Sequence, residues 1–194
     1  DLWVICEASG GYERDLLDAL HAAKIPVCVV SPNRIRAYAI SEGIRAKSDA
    51  IDTAVMLKFA KDKNLRPTPP PSPERRKLTA LMDRRSHLSD FLAQERNRLQ
   101  NSCALNHTSI KKMMRVFVRE IQAIETKIRK IIQEHPQMRR YDRLFQSVTG
   151  IGEVTNWSLI AYLSELGQVK RNEAVALVGL APFNKDSGKS TGKR

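Results

Sequence analysis

The 194-residue chain has no apolar stretch approaching the roughly 20 residues that a membrane-spanning helix needs, which argues against a helical membrane span. Its first residues do not read as a secretory signal, because Asp1 precedes only a short apolar run. Cysteine is scarce as well. Cys6, Cys28 and Cys103 are odd in number and lack zinc-type spacing. Cys6 and Cys28 fall within apolar runs, where a reduced core thiol is the expected state, so the chain reads as reduced and cytoplasmic. Acids are the minority charge, 21 against 33 Lys and Arg, giving a formal charge of +12 and a pI near 9.9. That balance points to a polyanion partner, nucleic acid foremost and an acidic membrane surface as the alternative.

What is present is organised in blocks. Residues 2–6 and 25–31 are short, β-branched apolar runs that predict buried strands. Residues 12–23 place Leu16, Leu17 and Leu20 at helical spacing, and residues 34–41 and 49–61 predict further helices. Strand–helix–strand–helix order implies a parallel pair in a layered α/β unit, which two strands alone do not complete. Pro67-Thr68-Pro69-Pro70-Pro71-Ser72-Pro73 predicts a stiff, extended spacer, with a proline-motif ligand as the other reading.

Beyond the spacer, Leu78, Leu81, Leu88, Leu92 and Leu99, then Ile110, Met114, Phe117, Ile121, Ile124, Ile128 and Ile131, recur at spacings of three, four and seven. This predicts two long amphipathic helices forming an antiparallel coiled-coil hairpin, with a turn or cap at Asn106-His107-Thr108. Apolar seams of this size predict a homo-oligomer joined through the hairpin. His87 and His107 fall on its polar faces and are not expected to be ligands. The expected division is 1–66, a partial α/β domain; 67–73, the linker; 74–139, the hairpin; and 140–194, a partial helical domain.

Two features carry candidate chemistry. Glu7 closes the first strand-like run, and Asp49 and Asp52 stand three residues apart at the start of a helical run, roughly 60° apart around its axis. Three carboxylates so placed suit a hard divalent cation whose shell a DNA phosphate completes. The plain alternative is a helix cap, with Asp49 as N-cap and Asp52 at the dipole's positive end. Later, Gly150-Ile151-Gly152 separates two predicted helices, the second over residues 156–166. That is the pattern of a helix-hairpin-helix element whose backbone N–H groups meet phosphate; a simple helix C-cap at Gly150 is the alternative.

Three separated segments carry a resemblance. Glu7-Ala8-Ser9-Gly10-Gly11-Tyr12-Glu13, Ala46-Lys47-Ser48-Asp49-Ala50-Ile51-Asp52 and the stretch from Gly179-Leu180-Ala181-Pro182-Phe183 to Asn184-Lys185-Asp186-Ser187-Gly188-Lys189 resemble the DEDD transposases of the one-ten insertion-sequence family. These are relatives of the Piv invertases, and some members are bridge-RNA-guided recombinases. The resemblance implies a partial RuvC-like, ribonuclease-H-type domain, a coiled coil, and a C-terminal transposase domain with a nucleophilic serine. It implies Mg2+ held by four acids, of which Glu7, Asp49 and Asp52 match three; the first Asp belongs upstream, and Asp1 does not replace it. The chain is therefore expected to be truncated at both ends. Ser187 matches the nucleophile, with Ser190 as runner-up, and Lys185, Lys189, Lys193 and Arg194 would hold phosphate.

The implied function is a transposase or site-specific DNA recombinase, with DNA, and a guide RNA in guided members, as partners. Two rivals remain open. A RuvC-like nuclease or junction resolvase would need the acids but not Ser187. A non-catalytic nucleic-acid-binding scaffold would need none of the four.

Overall fold

The computed structural model describes residues 3–44 and 48–178, except the side chains of Ala176 and Leu177. It divides into two compact units, 1–71 and 72–194. Among the described residues, no helix is long and apolar enough to cross a membrane.

In the first unit, β1 (Val4–Glu7) and β2 (Val27–Val30) pair in parallel, with Val4 opposite Val27 and Glu7 opposite Val30. Their β-branched residues suit a pleated, covered surface. A parallel pair needs a crossover, which α1 (Arg14–Ala22) supplies. The following turn puts Lys24 in the left-handed region, at φ 57°. Then come α2 (Pro32–Ser41), with Pro32 in the first turn where its missing N–H costs nothing, and α3 (Asp49–Asp62). Val30, Ile35, Tyr38, Ala39, Val55 and Phe59 form the core, against which Ile5 and Ile51 pack. The Tyr38 ring meets Phe59 edge-on at 5.3 Å, and its hydroxyl donates to Asp62.

The start of the proline-rich segment does more than space. Thr68 N donates to Val27 O at 2.8 Å, and Val29 N donates to Thr68 Oγ1 at 3.0 Å. These bonds satisfy polar groups on the edge of β2 that faces away from β1. Cys28 is buried, with its Sγ donating to Arg66 O at 3.1 Å. All three cysteines are free.

The second unit opens with α4 (Pro73–Asn101), capped by Ser72, whose hydroxyl accepts from Arg75 N at 3.2 Å. α5 (Ala104–Glu134) follows after only Ser102 and Cys103. The turn therefore lies upstream of the expected place, and Asn106-His107-Thr108 belong to the first turns of α5. His107 Nε2 reaches back to Ser102 O at 3.2 Å. Partners step backwards along α5 as they step forwards along α4. Arg85 bonds Glu125 at 2.8 Å, and Phe91 stacks on Phe117 at 6.0 Å, so the two helices run antiparallel.

Pro136 breaks the second helix and begins α6 (Pro136–Gln146), followed by α7 (Glu153–Tyr162) and α8 (Arg171–Leu177). The core joins Leu78, Met82 and Leu88 of α4 to Ile124, Ile128 and Ile132 of α5, Met138 of α6, and Trp157, Ile160 and Ala161 of α7. Each fully buried aliphatic side chain of this kind stabilises the fold by about 1.5–3 kcal/mol. Ile128 is 0% exposed. Ile128→Ala should lower stability by about 2–5 kcal/mol in urea unfolding followed by circular dichroism. Its exposed neighbour Lys127 should tolerate alanine to within about 0.5 kcal/mol. Equal losses at both positions would contradict this packing.

Candidate functional site

Glu7 ends β1 at the carboxyl edge of a parallel pair, the edge at which α/β folds usually place ligands. Strand alternation puts it on the face of Ile5, which α3 covers through Ile51, Val55 and Phe59. Glu7 itself is exposed. The loop after it is held by Glu13, whose Oε2 accepts from Ser9 N at 3.0 Å, Ser9 Oγ at 2.8 Å and Gly11 N at 2.9 Å. Gly10 and Gly11 take φ of 72° and 111°, conformations that favour glycine. Hydrogen bonds from its own backbone N–H, then from Ser9 and Gly11, outweigh partial burial and hold the Glu13 carboxyl down at about 2. Beside this loop, the Cys6 thiol is pushed up by burial first and by the Glu13 and Cys28 charges next, which makes it a poor nucleophile.

Asp49 and Asp52 both lie in the first turn of α3. The cap itself is Ser48, whose hydroxyl accepts from Ile51 N at 3.3 Å, so capping does not occupy Asp49. Glu7 and this first turn thus belong to elements packed around one core, β1 in the sheet and α3 over its face. They do not converge: among the described residues, no three His, Cys, Asp or Glu side chains are grouped to hold a metal ion. By donor type the carboxylates suit magnesium; by geometry they do not fit it as they stand.

In the second unit, α6 and α7 are joined through the expected glycines. Gly150 sits at φ 93°, and a Cβ there would meet nothing within 4 Å, so conformation rather than space calls for glycine. Gly152 is the N-cap of α7 and offers no side chain to its first N–H groups. α7 starts at Glu153, earlier than predicted, and ends at Tyr162. Behind the turn, buried Asp142 takes Asn156 Nδ2 at 2.6 Å and Gln146 Nε2 at 2.9 Å, tying α6 to α7. Arg129 of α5 bonds both oxygens of Glu153, at 2.7 and 2.8 Å, and lies 5.1 Å over the Trp157 ring. Those bonds lower the Glu153 pKa and raise that of Arg129. The carboxylate nearest the turn is thereby matched by a cation.

Ser187 and Ser190, with Lys185, Lys189, Lys193 and Arg194, lie outside the described residues. Sequence reasoning missed Glu13 and the Asp142–Asn156 pair. Glu13 had a usable signal, an acid two residues after a Gly-Gly pair whose N–H groups need an acceptor. Asp142 and Asn156 had none beyond falling on the apolar side of their helices.

A parallel strand pair ending in an acid, an acid-bearing helix start and a braced Gly-Ile-Gly turn do not by themselves name a class of protein. The comparisons are more specific. Residues 1–109 match the IS110 DEDD transposase family, described as Transposase, and residues 142–194 match the Transposase IS116/IS110/IS902 family. The chain belongs to the IS110-family transposases. It is similar to the pilin gene-inverting proteins of Moraxella lacunata and Moraxella bovis, at 28% identity over 194 residues in each case. These matches take in 100% of this chain and 60% of each relative, so the chain spans about 60% of the length of the curated relatives it matches.

Two outcomes follow from this geometry. Because the folded carboxyl of Glu13 is depressed from 4.5 to about 2, its stabilisation is complete above pH 4.5 and is lost as pH falls through about 2. Protection of the Ser9 and Gly11 amides against exchange, relative to their intrinsic rates at each pH, should fall across that window, and Glu13→Gln should show little protection already at pH 6. Asn156→Ala removes the closest donor to a buried carboxylate and should cost about 1–3 kcal/mol in urea unfolding. A neutral result there would remove the brace from this account.

Proposed function

We propose that this chain is the greater part of a DNA recombinase that moves or inverts a DNA segment through a serine nucleophile. One observation carries the reading: two transposase-family matches follow one another in the expected order, the first over residues 1–109, through α4 into the start of α5, and the second over 142–194, which includes the segment with Ser187. The pilin gene-inverting relatives, whose name states inversion of a gene, support DNA as substrate. The proposed division is a RuvC-like domain over 1–66, the linker 67–73, the coiled-coil hairpin 74–139 and the transposase domain 140–194, acting in the cytoplasm.

In the proposed reaction the Ser187 hydroxyl oxygen bonds to a DNA phosphorus. One P–O bond of the strand breaks, the departing oxygen takes up a proton, and the phosphate is left esterified to serine. Attack by a DNA hydroxyl then reverses these changes on a new strand and frees Ser187. No oxidant, reductant or nucleotide is consumed, because one phosphodiester replaces another. Lys185, Lys189, Lys193 and Arg194 would balance charge on the phosphate. The first N–H groups of α7, below Gly150 and Gly152, would hold backbone phosphate as a helix-hairpin-helix does. By donor type Glu7, Asp49 and Asp52 are the proposed contribution of this chain to a magnesium site, one that requires their side chains to come together from where they stand; metal titration of cleavage tests that role.

Base pairing to a guide RNA is the proposed source of target choice, since backbone contacts carry little sequence information. The hairpin is the proposed homo-oligomer contact: Phe91, Met113 and Val116 are among its exposed apolar side chains. Two recombining duplexes also call for more than one protomer.

The deciding experiment uses the full-length protein. Ser187→Ala should abolish recombination while leaving DNA affinity within a few-fold, since one hydroxyl adds little to a wide electrostatic interface. Mass spectrometry of trapped protein–DNA adducts should map the phosphate to Ser187. An adduct on Ser190 or elsewhere, or full activity of Ser187→Ala, would overturn the assignment.

A further inference from the structure

A cleft of about 620 Å³ runs along one flank of the hairpin, lined among others by Arg96 of α4 and by Lys111, Arg115 and Arg119 of α5. Leu92, Met114 and Val118 form its apolar floor. No Asp or Glu lines it. Some of the hairpin's other cations are matched by acids: Arg85 and Arg129 engage Glu125, and Arg98 engages Glu95. None of the four cleft cations has a carboxylate within ion-pair distance among the described residues. Arg115 Nε donates to Lys111 O at 3.3 Å, which fixes its stem along the helix while its terminal nitrogens stay open. Like charges set together without acids repel, and a fold gains nothing from that arrangement unless an anion offsets it.

We propose that this cleft is a docking surface for the phosphate backbone of duplex DNA, distinct from the Gly150–Gly152 turn and from the Ser187 segment. The proposal rests on the DNA reading above and deepens it. Lys111, Arg115 and Arg119 recur every four residues, so they form one row with steps of about 6 Å. A duplex carries a negative charge per roughly 1.7 Å of axis, and a rigid row about 12 Å long faces several of them at once. Single-stranded nucleic acid is gripped by stacking bases on aromatic rings, and no aromatic side chain lines this cleft. A second copy of the chain fits worse, because a two-fold contact through this flank sets the cationic row against itself. The apolar floor carries the aliphatic stems of the long cations while their heads reach outward.

The test measures binding of the whole 194-residue chain to duplex DNA by fluorescence anisotropy across a salt series. The slope of log affinity against log salt counts the phosphates neutralised, at about 0.9 per contact. The triple variant Lys111→Gln, Arg115→Gln, Arg119→Gln should lose about 2.7 from that slope, three contacts' worth. Arg115→Lys, which keeps the charge, should retain the slope, and so should Lys127→Gln, a cation outside the cleft. Circular dichroism must show unchanged helicity. The proposal is overturned if the triple variant keeps the wild-type slope, and equally if the variants weaken a single strand or a structured RNA but not the duplex. A shift in self-association by sedimentation, without loss of duplex binding, would give the cleft to a second copy instead. Loss of this cleft leaves the recombinase reading standing whenever the wild type still binds duplex and forms the Ser187 adduct. Absence of the adduct with an intact cleft effect would do the reverse.

Discussion

The seam between α4 and α5 is the constraint on which the second unit depends. Ile124, Ile128 and Ile132 recur every four residues, so one stripe of α5 is committed to burial along three turns. Leu78, Met82 and Leu88 answer it from α4, and the remaining sides of the same residues receive Met138, Trp157 and Ile160. One apolar stripe therefore both closes the hairpin and seats α6 and α7. The Gly150–Gly152 turn is held at the protein surface because the helices on either side of it are anchored in that core. Charge follows the same geometry: Arg129, one position beyond Ile128, leaves the seam and reaches Glu153 at the start of α7.

The first unit solves a different problem. Two parallel strands leave unmatched backbone groups, and here Thr68 meets those on one edge of β2. The carboxyl end of the pair is shaped by local bonds rather than by burial, since Glu13 gathers the N–H groups that the glycine turn exposes. An exposed acid at a strand end, on a loop held by hydrogen bonds, is free to take a new partner without disturbing a core. That freedom is compatible with the proposed role of Glu7 in a metal site.

Basic charge is spent unevenly over the chain. Arg85 and Arg129 are matched by acids within the fold, whereas Arg96, Lys111, Arg115 and Arg119 stand in a cleft that no acid lines. A surplus of +12 thus contains cations that serve the fold and cations that it leaves open. Composition alone does not separate the two kinds, because pairing depends on which residues fall three or four apart on a helix or opposite one another between helices.

The order of elements, the long helix pair and the strand identities were legible in the sequence, since they follow from local pattern: the short β-branched apolar run of Val27–Val30 and the three-four recurrence of Leu and Ile in α4 and α5. The motif segments around Glu7 and Asp49 were legible for the same reason, being contiguous and chemically distinctive. Tertiary structure decided the rest. It set the hairpin turn at Ser102-Cys103, because antiparallel register rather than turn preference chooses where two long seams reverse. It gave the α3 cap to Ser48, whose extended backbone lets its hydroxyl reach Ile51 N. It left Glu7, Asp49 and Asp52 on elements that share a core without gathering them, and it buried Asp142 against Asn156. Apart from the Ser48 cap, which is local, each of these depends on how segments separated in the chain are brought together, which no local pattern encodes.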